Sequence, residues 1–226
     1  MSISIPQLKK ILISKDINHL YHVNTVATSI TYIQNGGLIS RGAVEDKGLF
    51  QTPQESDEKD KEVSVFYDIF FDTDDIHARR KAVNFYGAIT FEFSIDVLDS
   101  LGDKIVKATK DNPIRWSKDM PEEKRYFTDE IPMSFEFHKG TFQQHITICD
   151  MHESLPFEPY LTRVLIENPK TEDTTHFDKA YKAIHGLLQK RSLPDLEARK
   201  CPDNCGCHST YTNAKKGYSY YRFMIR

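Results

Sequence analysis

Residues 20 to 41 read LYHVNTVATSITYIQNGGLISR, and no other stretch constrains the fold as tightly. HLYHVN is a compact strand signal. Asn24 or Thr25 can cap a helix over residues 26–35, because a short side-chain oxygen there accepts from a first-turn N–H. Gly36-Gly37 then ends it. A strand running straight into a helix N-terminus sets free N–H groups and the positive end of the helix dipole beside the strand's last side chains. His22 lies just before that end, and Arg41 follows the helix. If both border one cleft, they meet over a shared ligand. An imidazole, Tyr21, the hydroxyls of Thr25 and Ser40, and the forked guanidinium of Arg41 suit a molecule carrying ribose and phosphate. The competing reading is a strand histidine packed beside Tyr21 and a surface arginine.

The remaining signals set the fold class. PQLKKILISK places Leu8, Ile11, Leu12 and Ile13 on a short helical pattern over residues 6–15. Residues 51–62, QTPQESDEKDKE, are charged, lack large apolar side chains and read as a loop of the kind that serves as a lid. The start of VSVFYDIFF, then GAITFEFSIDVL, MSFEFH, TFQQHITICD and LTRVLIEN read as strands, with Lys139-Gly140 as a hairpin turn between the third and fourth. Residues 174–190 form an amphipathic helix with Phe177, Ala180, Ile184, Leu187 and Leu188 facing inward. Strands outnumber helices without alternating with them, so the expected class is α+β rather than a doubly wound parallel sheet.

A chain of 226 residues fits one domain with an appendage, here residues 1–200 and a segment over 201–226 packed on the same domain. A formal charge of -3 leaves nucleic-acid binding to a local patch. No apolar run is long enough for a bilayer, and the N-terminus carries no signal-peptide pattern, so no membrane partner is expected. Four cysteines do not make a disulfide framework at this length, and free thiols in a reducing cytoplasm are the expectation.

Two segments invite metal. In DIFFDTDDIHARR, Asp68, Asp72, Asp74, Asp75 and His77 lack calcium-loop spacing, and a loop salt-bridged through Arg79 and Arg80 is preferred. His77 and Arg80 are also candidates to face the cleft and touch a nucleic acid. In CPDNCGCH, Cys201, Cys205, Cys207 and His208 match a zinc tetrahedron in composition, but the spacing is poor for all thiolates to converge, and zinc is not favoured. After it, Lys215, Lys216 and Arg222 are interleaved with Tyr211, Tyr218, Tyr220, Tyr221 and Phe223, a mixture that suits single-stranded nucleic acid. A terminal strand completing the sheet is the other reading.

The opening stretch resembles the start of the ADP-ribosyltransferase superfamily, in particular DarT-type toxins that ADP-ribosylate nucleic acid. The match is a strand with a Tyr-His pair, a helix, and Gly-Leu-x-Ser-Arg. TFQQHITICDMHESLPFEPYLTRVLIENP resembles that family's late strand and the segment after it, so the likeness covers about residues 18–170 in patches. It implies an ADP-ribosyltransferase-like split β-sheet with flanking helices and NAD as substrate. The acceptor would be a DNA or RNA base, and the setting a toxin–antitoxin or phage-defence system with an antitoxin protein as partner. On this resemblance His22 hydrogen-bonds a ribose of NAD, the backbone near Tyr21 and His22 clamps the nicotinamide amide, and Asn24, Thr25, Leu38 and Ser40 line the pocket. Arg41 holds the pyrophosphate or acts at the acceptor base, and Tyr86 stacks on the nicotinamide ring. QQHITI places His145 where the family has a catalytic Glu, so His145 would serve as a neutral hydrogen-bond acceptor for a ribose hydroxyl. Glu92 and Glu136 are the substitute acids to examine. Two other readings stay open: an RNA 2′-phosphotransferase-like enzyme, and a non-catalytic module binding nucleic acid or a partner.

Overall fold

The computed structural model describes residues 3–170, 174–213 and 222–225. In chain order the elements are α1 (Ile5–Ser14), β1 (His19–Asn24), α2 (Val26–Asn35), β2 (Gly37–Leu38), α3 (Arg41–Asp46), α4 (Asp57–Glu62), β3 (Ile69–Phe71), α5 (Ile76–Arg80) and β4 (Ile89–Ser94). A 3-10 turn over Ile95–Leu101, β5 (Val106–Ala108), a second 3-10 turn over Pro113–Arg115, α6 (Glu122–Arg125), α7 (Glu130–Glu136), β6 (Ile146–Ile148) and β7 (Leu155–Pro156) come next. The chain closes with β8 (Leu161–Ile166), α8 (Thr175–Lys190), β9 (Leu196–Ala198) and α9 (Gly206–Asn213).

The strands form a four-stranded sheet ordered β1-β4-β8-β9, a three-stranded sheet ordered β3-β6-β5, and the small β2-β7 pair. The two larger sheets meet at one point. Tyr21 of β1 exchanges both backbone hydrogen bonds with Asp72, the residue after β3, at 2.9 Å each. Beyond that bridge the sheets diverge, which is the expected split-sheet α+β architecture. Alternation along β1 sends Leu20, His22 and Asn24 to one face, opposite Phe93, Phe91 and Ile89 of β4. Those three β4 residues are fully buried, and Phe91 stacks on Phe157 at 5.2 Å. Burial of side chains this size is worth roughly 1.5–3 kcal/mol each. Among the described residues no helix is long and apolar enough to cross a membrane.

Most expected elements appear. α2 starts at Thr25, whose side chain accepts from the Thr28 N–H, and ends at Gly36 with φ 77, a left-handed turn that glycine adopts without strain. Four expectations change. The start of VSVFYDIFF is not a strand, and β3 falls at its end, over Ile69–Phe71. MSFEFH is not a strand: Asp129 caps α7 across it, and the Lys139-Gly140 hairpin is therefore absent. Its alternation of Met133, Phe135 and Phe137 fits either period, and the cap decides. The charged stretch over 51–62 contains α4. At the C-terminus, Arg222 and Phe223 lie outside any strand, with Phe223 buried against Tyr211 and Phe177. Lys215, Lys216, Tyr218, Tyr220 and Tyr221 lie outside the described residues.

Candidate active site at the split between the sheets

His22 spans the split. Its Nδ1 lies 2.9 Å from the Phe70 carbonyl of β3, so it donates the proton there. Its Nε2 is then a lone pair, and that atom is buried without a hydrogen-bond partner. Burial pushes the imidazole below its ordinary pKa, overcoming the opposing pull of the Phe70 carbonyl and of Asp72. The ring is thus neutral, packed between Tyr32 (centroids 5.8 Å apart) and Phe71 (6.1 Å).

Arg41 opens α3 and is near enough to act on the charge of His22. Its Nη2 donates to the Thr52 carbonyl at 2.9 Å and to Asp57 Oδ2 at 2.7 Å, and its Nε is paired with the same carboxylate. Nη1 is buried without a partner. Asp57 belongs to α4, so the segment expected to act as a lid lies over Arg41. Thr25, Thr28 and Thr52 fasten it from below through a buried hydroxyl cluster, with Thr25 Oγ1 2.7 Å from Thr52 Oγ1. Burial also raises Asp60 of α4 to a pKa of about 6.

Asp72 is the centre of the opposite wall. One of its carboxylate oxygens is 3.3 Å from His145 Nδ1, and its charge reaches both His22 and Tyr86. Tyr86 hydrogen-bonds the Asn112 side chain, and burial raises its pKa ahead of the Asp72 contribution. Asn112 Nδ2 lies 3.3 Å from His145 Nε2. An acceptor lone pair, a guanidinium, a carboxylate and an aromatic face thus gather around one split, the set needed to hold a hydroxyl-bearing anion and to stabilise a developing positive charge.

Several expected site residues are placed elsewhere. Tyr21 faces the side of the sheet opposite His22, beside Glu92, and its backbone groups are consumed by Asp72, leaving none for an amide ligand. Leu38 is fully buried in the core. Ser40 caps α3, accepting from Ala43 and donating to the Met151 carbonyl, so its hydroxyl is committed to the fold. Asn24 hydrogen-bonds Tyr32 and the Thr25 N–H, a buried brace beneath His22. His145 is buried with both ring nitrogens engaged, Nε2 also lying 3.1 Å from the Phe142 carbonyl, so it offers no free acceptor to a ribose. Glu92 lies on the face of β4 away from His22, its carboxylate 3.5 Å from the Thr162 hydroxyl, and Glu136 is exposed on α7.

The nucleic-acid candidates divide. His77 is 2% exposed and Arg222 3%, so neither is a surface contact. His77 Nδ1 bonds Glu167 Oε1 at 2.8 Å, and Arg222 pairs with the other Glu167 oxygen. Arg80 is exposed and lies 5.0 Å from the ring of Phe85, which is 72% exposed and adjoins Tyr86. Asp75 pairs with Arg199 rather than with Arg79 or Arg80. The acidic residues of that segment form no metal cluster among the described residues, whereas His77 meets Cys201, Cys205 and Cys207. His208 lies outside that group.

The residues that the sequence did not single out for this site are Asp72, Asn112 and Asp57. Asp72 was visible only as one acid in a crowded run, because its value comes from a strand pairing across the split. Two open surface cavities, of about 710 Å³ beside Gly36 and Arg191 and about 470 Å³ beside Asp68 and Tyr126, lie away from His22 and Arg41. The site's own residues identify it better than concavity does, since α4 covers it.

No protein-family model matches the sequence, and no curated protein matches it. Solved structures do match. A structure of Thermus sp. 2.9 DarT in complex with ADP-ribosylated ssDNA superimposes with a TM-score of 0.53 at 8% identity, covering 82% of this chain and 95% of that one. The same protein in complex with NAD+ gives a TM-score of 0.48 at 10% identity, covering 82% and 96%. With carba-NAD+ it gives 0.47 at 8%, covering 82% and 97%. The chain therefore has the DarT-like ADP-ribosyltransferase fold, and the likeness at this identity is one of fold.

Proposed function

We propose that this protein is an NAD-dependent ADP-ribosyltransferase whose acceptor is a base of single-stranded nucleic acid. The observation that carries the reading is the pair of buried, unpartnered atoms at the sheet split, His22 Nε2 and Arg41 Nη1, one an acceptor and the other a cationic donor. A ribose hydroxyl satisfies the first and a phosphate oxygen the second. The fold shared with a protein described in complex with ADP-ribosylated ssDNA supports the same choice of ligand.

NAD supplies an ADP-ribosyl group whose anomeric carbon becomes cationic as nicotinamide departs. His22 holds the ribose by accepting from a hydroxyl. Arg41 exchanges Asp57 for the pyrophosphate, which requires α4 to lift. Asp72 sets a negative charge beside the forming cation, and so does the work the resemblance gave to a Glu at position 145. His145 positions Asp72 through Nδ1. Tyr86 offers its ring face to the cationic centre. Acceptor binding falls to the exposed rim, where Arg80 and Phe85 sit beside Tyr86, and Phe142, 41% exposed, sits beside His145. Such paired aromatic and cationic groups stack unpaired bases. Modification of genomic DNA or of RNA would make the protein toxic to its host and call for a neutralising antitoxin.

The test is incubation with NAD labelled in the adenylate, alongside single-stranded DNA, RNA and bulk protein as separate acceptors. Label retained on a nucleic acid is the expected result. Label on protein, or no transfer with any acceptor, overturns the reading.

A further inference from the structure

His77, Cys201, Cys205 and Cys207 come from distant parts of the chain and converge. His77 stands on α5, Cys201 follows β9, and Cys205 and Cys207 flank the start of α9. All four are buried, and their ligating atoms lie within 4.8 Å of one another. His77 Nε2 is 3.2 Å from Cys201 Sγ and 3.5 Å from Cys205 Sγ, and Cys207 Sγ is 3.6 Å from Cys201 Sγ. Zinc–sulfur bonds of about 2.3 Å and a zinc–nitrogen bond of about 2.0–2.1 Å make tetrahedron edges of about 3.8 Å between sulfurs and about 3.5 Å from nitrogen to sulfur. The three separations lie within about 0.3 Å of those edges. They are too long for a disulfide, whose sulfurs stand about 2.05 Å apart, and all the cysteines are free.

The surroundings of His77 point the same way. Its Nδ1 faces Glu167 Oε1 at 2.8 Å, so the proton sits on Nδ1 and the Nε2 lone pair is aimed into the thiols. A carboxylate behind a histidine in this manner fixes the tautomer and strengthens the imidazole as a ligand. Glu167 is itself fixed by the Asn84 N–H, the Tyr211 hydroxyl and Arg222. Residues that sequence alone suggested for nucleic acid, His77 and Arg222, are thereby given one shared purpose.

We propose that His77, Cys201, Cys205 and Cys207 bind one structural zinc ion. Four protein ligands close the coordination shell and leave no open position, which marks a structural rather than a catalytic centre. The ion fastens the segment carrying α9 to α5. That matters to the site at the split, because α5 lies in the stretch joining Asp72 to Tyr86.

The test uses the full-length protein purified without chelator. Elemental analysis is expected to find one zinc per chain, released stoichiometrically when a mercurial titrates the thiols. The cobalt-substituted protein is expected to show the intense visible absorption of a tetrahedral thiolate site. His77→Cys, which keeps a ligand, should retain the metal; His77→Gln should lose most of it; His208→Ala should retain it. Less than a tenth of an equivalent of zinc after expression in zinc-supplemented medium overturns the proposal. A disulfide among these cysteines in the native protein, or full zinc retention by His77→Gln, overturns it equally.

Discussion

At single positions, the clearest consequence concerns His22. His22→Phe keeps a ring between Tyr32 and Phe71 and deletes only the acceptor. Release of nicotinamide should fall a hundredfold or more with the melting temperature nearly unchanged, since loss of one oriented contact in a closed site commonly costs that much in rate. Asp72→Asn removes the charge without the volume and should cost a similar factor. His145→Gln leaves that charge in place and should cost less; equal losses in these two variants would return the leading role to His145. Arg222 makes the opposite case. It was expected at a nucleic-acid surface, but it is buried against Glu167. Arg222→Ala should lower stability by about 3–5 kcal/mol in denaturant titration, the cost of stranding a buried charge. Replacing Lys215 and Lys216 by Ala should flatten the salt dependence of nucleic-acid binding.

Whole elements add a second layer, and α4 is the informative one. It has no buried residues of its own and is tied down chiefly through Asp57 to Arg41. Few apolar contacts and two ion pairs to the rest of the chain, Asp57 with Arg41 and the exposed Lys61 with Glu45, make an element that opens at low cost. Asp57→Asn should therefore tighten NAD binding several-fold, because the pyrophosphate no longer displaces a carboxylate. The rate of the bound complex should change little. Calorimetry with NAD checks this, and weaker binding in the variant would mean that Asp57 shapes Arg41 for the ligand rather than competing with it. The sequence marked residues 51–62 as a lid-like loop from their charge and their lack of large apolar side chains. It missed the helix, because six charged residues in a row give no periodicity to read.

Across the molecule, pH exposes what burial has cost. Asp68 is half-buried beside Cys149 and near Lys107, and desolvation there lifts its pKa to about 7. A carboxyl with a raised folded pKa binds more protons folded than unfolded. Stability is then full below the unfolded value of about 4 and declines as pH rises to about 7. Asp68→Asn should raise the melting temperature by several degrees at pH 8 and leave it unchanged at pH 4; a gain of the same size at both would show that packing, not charge, was relieved. The sequence by itself determined the α+β class and the strand–helix unit with its stop at Gly36. Those features depend on local hydrogen bonding and on periodicity within a few residues, which a linear reading can see. Only the tertiary structure decided that Asp72 stands opposite His145, that Thr25 rather than Asn24 caps α2, and that His77 rather than His208 joins the three cysteines. The first and the last follow from strand pairing or helix packing between residues far apart in the chain. Such contacts are chosen by burial of the whole core, and no local pattern records them.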